Sequence, residues 1–141
     1  MTSEATGPWT VALGDLPSAV GRDLPVSQWV KFDALRVQAF SAALGQAVPG
    51  GDVVPGMLVL SVVAPLWEQV LQVAGCGAVL NYGTGPVRFP AQARVGDQVQ
   101  FRLGVVAVEP VTGGWALSAD AEIATGSATV CAARILFRYL A

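Results

Sequence analysis

The sequence predicts an α+β domain in which an antiparallel β-sheet is wrapped around a central apolar helix. Two helical segments come first, and from residue 78 the chain becomes a series of strands separated by turn residues. Between residues 53 and 66 no side chain is charged, and Ser61 is the only one with a hydroxyl group. A helix formed by this run is apolar on nearly every face, so other elements must cover it.

The composition restricts the classes of function. Of the 141 residues, 53% are hydrophobic and 13% are charged, which is more apolar material than a small monomer buries, so we expect an oligomer. The net charge is −2 and the eight basic residues are scattered singly, which leaves no basic stripe for nucleic acid. Histidine is absent, and with it the commonest general base and metal ligand. Cys76 and Cys131 do not have metal-ligand spacing, and we expect free thiols.

The sequence gives no sign of a membrane span or of export. Residues 53–66 fall short of the roughly 20 apolar residues that a span needs, and Pro55, Gly56 and Pro65 interrupt them. The first nine residues lack the basic, apolar, small-residue order of a signal peptide. We therefore expect a cytoplasmic protein.

Residues 1–14 are predicted to form a tail and lead-in, and residues 15–141 a single domain. Asp15 has the character of an N-cap, and Gly21 ends the short helical turn that would follow it. Strand-forming side chains then occupy residues 27–32.

The next segment has the signals of a one-sided surface helix over residues 34–44. Asp33 is suited to the N-cap and Gly45 to the C-terminal end. The apolar side chains recur at helical spacing, at Val37, Phe40 and Leu44.

The central helix is predicted to begin at Pro55, where a missing backbone N–H costs nothing. Gly56 behind it leaves the first free amides uncovered, so this end can receive a carbonyl group or an anion. Pro65 should kink or split the helix before its continuation over residues 66–73.

The remaining chain is predicted to form antiparallel strands. The first covers residues 78–82 and resumes at 87–89 after an irregular Gly-Pro joint. Apolar side chains alternate over residues 99–105, and a Gly-rich turn leads into residues 115–124. The last strand runs over residues 128–140, with one face directed at the core.

Several stretches of this sequence occur in a familiar order: residues 27–30, 40–45, 56–61, 80–83, 87–91 and 95–97. In this order they resemble the MaoC-like dehydratase family, which has the hotdog fold and includes the (R)-specific enoyl-CoA hydratases and the nodulation protein N-like proteins. The resemblance covers nearly all of the chain after residue 15. It implies a protein that holds an acyl thioester in a tunnel at a dimer interface and adds or removes water across the 2,3 bond.

The resemblance fails in the loop that carries the catalytic residues of the family. MaoC-like hydratases have an Asp and a His between the first and central helices, where this chain has the short loop 46–51. Nodulation protein N-like members have a second His directly before the helix glycine, and Pro55 stands there in this chain. In the similar β-hydroxyacyl-carrier-protein dehydratases the catalytic His and Glu match Ala47 and Ser61. The resemblance therefore implies a degenerate catalytic loop.

What the resemblance retains is a binding site at the start of the central helix. The backbone amides of Gly56 and Met57 are expected to polarise a thioester carbonyl, which needs no side chain. Asn81 and Tyr82 either form hydrogen bonds to a ligand or accommodate an irregularity of the sheet. The predicted wall of the acyl-thioester pocket consists of Val54, Pro55, Ser61, Asn81 and Tyr82.

Asp52 is the only carboxylate near the predicted helix entrance. It is a candidate substitute base for the missing catalytic pair. The alternative interpretation is a helix-capping or solvated loop residue. Ser61 has no His to activate it, so we do not expect it to act as a nucleophile.

Three functions remain open from the sequence. The first is an acyl-thioester-binding protein without efficient catalysis, paired with an active subunit. The second is a working hydratase or thioesterase that uses Asp52 and water. The third is a structural hotdog dimer without a ligand. The expected partners are an acyl-CoA or acyl-carrier-protein thioester and a second hotdog subunit in a homodimer or heterodimer, with no cofactor, metal or nucleic acid.

Overall fold

A computed structural model describes residues 6–45 and 51–141. The loop position Ala47, which matches a catalytic His in related dehydratases, lies outside the described residues. The α-helices are α1 (Ala34–Leu44), α2 (Gly56–Ser61) and α3 (Val63–Trp67). The strands are β1 (Trp9–Ala12), β2 (Val30–Lys31), β3 (Leu71–Ala74), β4 (Ala78–Arg88), β5 (Gln98–Val111), β6 (Gly114–Ala124) and β7 (Thr129–Leu140).

The start of the described chain is a strand that the sequence did not predict. β1 pairs in parallel with β3 in a small two-stranded sheet. A 3-10 helix follows over Leu13–Ala19, two residues earlier than the predicted cap at Asp15. Its Leu16 side chain is fully buried and fixes this segment to the core.

Helix α1 confirms its prediction, because both ends carry strong local signals. The Asp33 side chain accepts a 2.8 Å hydrogen bond from the backbone N–H of Arg36. At the other end Gly45 has a φ of 68°, a left-handed conformation that glycine adopts without strain.

The strand predicted over residues 27–32 is largely wrong, since only β2 is extended and paired. Before β2, Ser27 is hydrogen-bonded to Phe101 of β5 through both its side chain and its backbone. Its Oγ accepts a 2.9 Å hydrogen bond from the Phe101 N–H, and its own N–H donates to the Phe101 carbonyl at 3.1 Å. A buried hydroxyl thus replaces part of a regular strand ladder.

The central helix is divided as predicted, but the break lies at Val62, ahead of the predicted kink before residue 66. The break places Pro65 in the first turn of α3, where its missing N–H has no intrahelical partner to lose. Pro55 is the N-cap of α2, so the helix begins at Gly56, one residue later than predicted. The predicted helical continuation to residue 73 is wrong, since Leu71–Ala74 forms β3.

The main sheet is antiparallel with strand order β2-β5-β6-β7-β4, and it curls around α2 and α3. Trp67 of α3 packs on this sheet, with its ring centroid 4.3 Å from that of Phe137 in edge contact and 6.2 Å from that of Phe101. The predicted arrangement of a sheet around an apolar helix is therefore confirmed.

The helix is not covered on every side within one chain. Leu58, Val59 and Leu66 are buried, whereas Met57 is 62% exposed. β4 lies at the free edge of the sheet and its side chains are mostly exposed. None of the helices in the described part of the chain is long and apolar enough to cross a membrane.

Candidate functional site

A cleft separates the central helix from strands β4 and β7, and we call it the helix–strand cleft. It has a smaller compartment of about 220 Å³ and a larger one of about 440 Å³. The two compartments share three lining residues, Ala64, Asn81 and Phe137. The smaller compartment is also lined by Met57, Leu60, Ser61, Val63, Thr84 and Ile135, and the larger one by Trp67, Glu68, Leu71, Gln72, Val73, Val79 and Tyr139.

A bulge in β4 decides which of its side chains face the cleft. Val79 is paired with Tyr139 and Asn81 with Phe137, so these side chains lie on the inner face of the sheet. The register then shifts at Tyr82. One extra residue on a strand bends it and redirects the side chains that follow.

The structure brings three of the predicted site residues together at the cleft: Met57, Ser61 and Asn81. The Ser61 hydroxyl donates a 2.7 Å hydrogen bond to the Leu58 carbonyl of its own helix. That bond is a common local one for serine in a helix, and it engages the proton of the hydroxyl.

Tyr82 lies on the opposite face of β4, away from the cleft. Its ring packs under the guanidinium of Arg138, whose central carbon is 3.9 Å from the ring centroid. This contact is a cation–π pair at the surface. The structure therefore does not place Tyr82 beside Asn81 in one pocket wall.

The start of α2 is close to the cleft but partly covered. Leu58 and Val59 donate their N–H groups to the Pro55 carbonyl, so the amides of Gly56 and Met57 precede the first intrahelical bonds. The Phe89 ring lies against Gly56, where an added Cβ would be 3.2 Å from the ring. Val54 is buried and donates its N–H to the Ala93 carbonyl at 2.8 Å, so it belongs to the core rather than to the cleft lining.

Comparison with known proteins supports the hotdog fold. No protein-family model matches the chain. The 3-hydroxyacyl-thioester dehydratase Z of Mycobacterium tuberculosis is 29% identical over 146 aligned positions, gaps included, which cover 92% of this chain and 97% of that protein. The MaoC-like dehydratase of Rhodospirillum rubrum superposes with a TM-score of 0.64 at 15% identity, covering 86% of this chain and 93% of that one. The chain has the hotdog fold, and its structural neighbours include MaoC-like dehydratases.

A second solved structure supports the same fold. The C-terminally truncated HadBC complex of Mycobacterium tuberculosis, a 3R-hydroxyacyl-ACP dehydratase, superposes with a TM-score of 0.63 at 12% identity. The match covers 82% of this chain and 96% of that one. The degenerate catalytic loop stays a prediction.

Asp52 does not line the helix–strand cleft. Its Oδ1 atom lies 2.8 Å from Nη1 of Arg94, and the two side chains are 65% and 54% exposed. An exposed ion pair of this kind is screened by water and contributes little to stability. The carboxylate is thus directed at a neighbouring loop.

The sequence analysis missed the polar groups of the larger compartment. The Trp67 indole N–H donates a 2.7 Å hydrogen bond to the Tyr139 hydroxyl in a buried position. Burial raises the pKa of Tyr139 above its ordinary value, and the nearby Cys76 and Glu68 raise it further, while the bond from Trp67 lowers it. Alternation along the last strand predicted that Tyr139 faces inward, but no sequence pattern shows that a cavity reaches it.

Proposed function

We propose that this MaoC-like chain binds acyl thioesters in the helix–strand cleft and acts as the substrate-holding subunit of a hydratase or dehydratase. The observation that carries the proposal is the cleft itself, whose smaller compartment is mostly apolar and in which Asn81 offers a carboxamide. A mostly apolar cleft with a few polar groups is the usual form of a small-molecule site. The carrier would be coenzyme A or an acyl-carrier protein.

The proposed lack of efficient turnover rests on side-chain chemistry. Hydration needs groups that move protons, and these contribute about 10² to 10⁴ in rate. The chain has no histidine, and Asp52 is paired with Arg94 outside the cleft. The alternative of a hydratase or thioesterase that uses Asp52 and water is therefore less well supported. The amides of Gly56 and Met57 stay predicted carbonyl donors, and the cleft supports the proposal without them.

The free edge of β4 supports the second part of the proposal, a hotdog partner. Leu80 is 47% exposed on one face of β4, and Val79 is 46% exposed on the other. An unpaired, apolar edge strand is a ready template for pairing with another chain. Because Val79 and Asn81 of this strand line the cleft, a subunit bound at the edge would border the site and could supply the missing acid and base. We expect this assembly to function in the cytoplasm.

The proposal can be tested by titration of the purified chain with octanoyl-CoA, followed by thermal unfolding. Binding should raise the melting temperature as the ligand concentration passes the Kd. The variant Ala64→Phe fills the junction of the two compartments from an exposed position and should abolish the shift. The matched control Ala39→Phe makes the same change on exposed α1 and should keep it.

Two results would contradict the proposal. A native chain that shows no shift with octanoyl-CoA, alone or with its co-purified partner, would favour a structural dimer without ligand. A shift that survives Ala64→Phe would place the ligand elsewhere on the molecule.

A further inference from the structure

The larger compartment of the cleft contains a buried phenol whose proton is available. Tyr139 is only 3% exposed, and its oxygen accepts the hydrogen bond from Trp67. An indole nitrogen can only donate, so this bond uses a lone pair of the phenol and leaves the phenolic proton as a donor. Within residues 6–45 and 51–141, no protein group accepts that proton.

The position of this donor is fixed by aromatic packing. The ring centroid of Tyr139 lies 6.5 Å from that of Phe137, and the two planes meet at 84°. Phe137 in turn makes the edge contact with Trp67. A phenol held by this ring contact and by the hydrogen bond from Trp67 has little freedom to turn away from the cavity.

Acceptor groups line the same compartment. Asn81 lies on the inner face of β4 and pairs with Phe137 of β7. Val79, two residues earlier on the same face, pairs with Tyr139. Glu68 and Gln72 lie at the exposed mouth of the compartment, where α3 gives way to β3. The compartment thus combines one fixed donor with two carboxamides and a carboxylate.

This combination matches the hydrogen-bonding capacity of an alcohol. A hydroxyl group donates one hydrogen bond and accepts others, whereas the carbons of an alkene or an alkane do neither. We infer that Tyr139 is a specificity-determining residue that donates to a hydroxyl group on the acyl chain, while Asn81 accepts from that hydroxyl. The chain would then retain the hydroxylated thioester in preference to the enoyl and saturated forms. This inference rests on the proposed function.

The experiment compares the Kd values of 3-hydroxyoctanoyl-CoA, trans-2-octenoyl-CoA and octanoyl-CoA for the native chain by calorimetry. One hydrogen bond of ordinary net strength corresponds to a preference of about 3- to 10-fold for the hydroxy form. Tyr139→Phe keeps the ring and removes the donor, so the preference should disappear while octanoyl-CoA still binds. Asn81→Leu, at an exposed position, should reduce the preference in the same way without touching the core.

Ser127→Ala is the control, because it removes a hydroxyl from the exposed turn between β6 and β7, outside the cleft. It should leave the preference unchanged. If the native chain binds all three thioesters equally, or if the preference survives both Tyr139→Phe and Asn81→Leu, the inference is wrong while the proposed function stands. If the native chain binds none of them, the proposed function itself fails.

Discussion

The carboxylate of Asp52 is bonded to the guanidinium of Arg94 at 2.8 Å, and this pair ties the loop before the central helix to the loop before β5. The backbones of the same loops are also joined, because Val95 donates its N–H to the Asp52 carbonyl at 2.7 Å. The carboxylate nearest to the helix entrance therefore has a structural partner. A role in proton transfer would require it to leave that partner.

Asp52→Asn should have only a small effect on both stability and turnover. The ion pair is exposed, so its loss should cost no more than about 0.5 kcal/mol, and the backbone bond to Val95 is retained. The measurement is the decay of enoyl-CoA absorbance, which we expect to be slow for the native chain and for the variant. Rapid turnover that disappears in Asp52→Asn would make this residue the base and would refute the binding-only proposal.

Gly56→Ala tests how tightly Phe89 covers the start of the central helix. A Cβ at residue 56 would lie 3.2 Å from the Phe89 ring, which is closer than side chains usually pack. In a Phe89→Leu background the substitution should stabilise the protein by about 0.4–1 kcal/mol, because alanine reduces the entropy of the unfolded chain. In the native background the gain should be smaller. Equal gains in the two backgrounds would show that the ring does not restrict this position.

The parts of the fold that local signals specify were predictable from the sequence. Helix α1 follows from an Asp cap, helical spacing and a terminal Gly, all within a few residues. Strand β1 was missed because it forms only by pairing with β3, some sixty residues away in the chain. Its four residues carry no pattern of their own that distinguishes a strand from a lead-in.

The site shows the same limit. The sequence drew attention to Asn81 and Tyr82 together, but a strand directs neighbouring side chains to opposite faces. Only the register with β7 shows that Asn81 faces the cleft and that Tyr82 faces Arg138. The structure also places Glu68 at the mouth of the larger compartment, which no sequence pattern indicates.

Ser27→Ala should destabilise the protein more than a typical surface substitution. Ser27 is fully buried, and its Oγ accepts the hydrogen bond of the Phe101 N–H at 2.9 Å. Removing this acceptor leaves a buried donor unpaired, which costs about 1–3 kcal/mol. Urea unfolding should show this loss of stability as a lower midpoint concentration. Ser127→Ala, at an exposed position, is the control and should keep the midpoint of the native chain. A change below about 0.5 kcal/mol would mean that another group accepts the bond.

Leu80→Glu tests the proposed assembly at the edge of β4. Leu80 is exposed in the single chain, and burying a carboxylate at a subunit contact without a partner is costly. The variant should shift the protein from dimer to monomer in light scattering at micromolar concentration. Val106→Glu is the matched control, since Val106 is similarly exposed but lies on β5, which β6 and β7 separate from β4. Equal dissociation in both variants, or a monomeric native chain, would argue against this interface.

The stability of the protein should fall in alkali because of Tyr139. Its pKa is raised in the folded state by burial, so above the ordinary value of 10.0 the unfolded chain loses this proton while the folded chain keeps it. The unfolded state then binds fewer protons, and the free energy of unfolding decreases with rising pH, by up to about 1.4 kcal/mol per pH unit.

Burial also raises the pKa of Cys131, which adds a decrease of the same sign from pH 9.0 upward. Urea unfolding at several pH values should therefore show a fall in stability in alkali that begins at a lower pH in the native chain than in Cys131→Ala. Tyr139→Phe should be less stable near neutral pH, because Trp67 loses its acceptor, yet its stability should depend less on pH above 10.0. An alkaline limb of unchanged slope in Tyr139→Phe would show that other groups cause it.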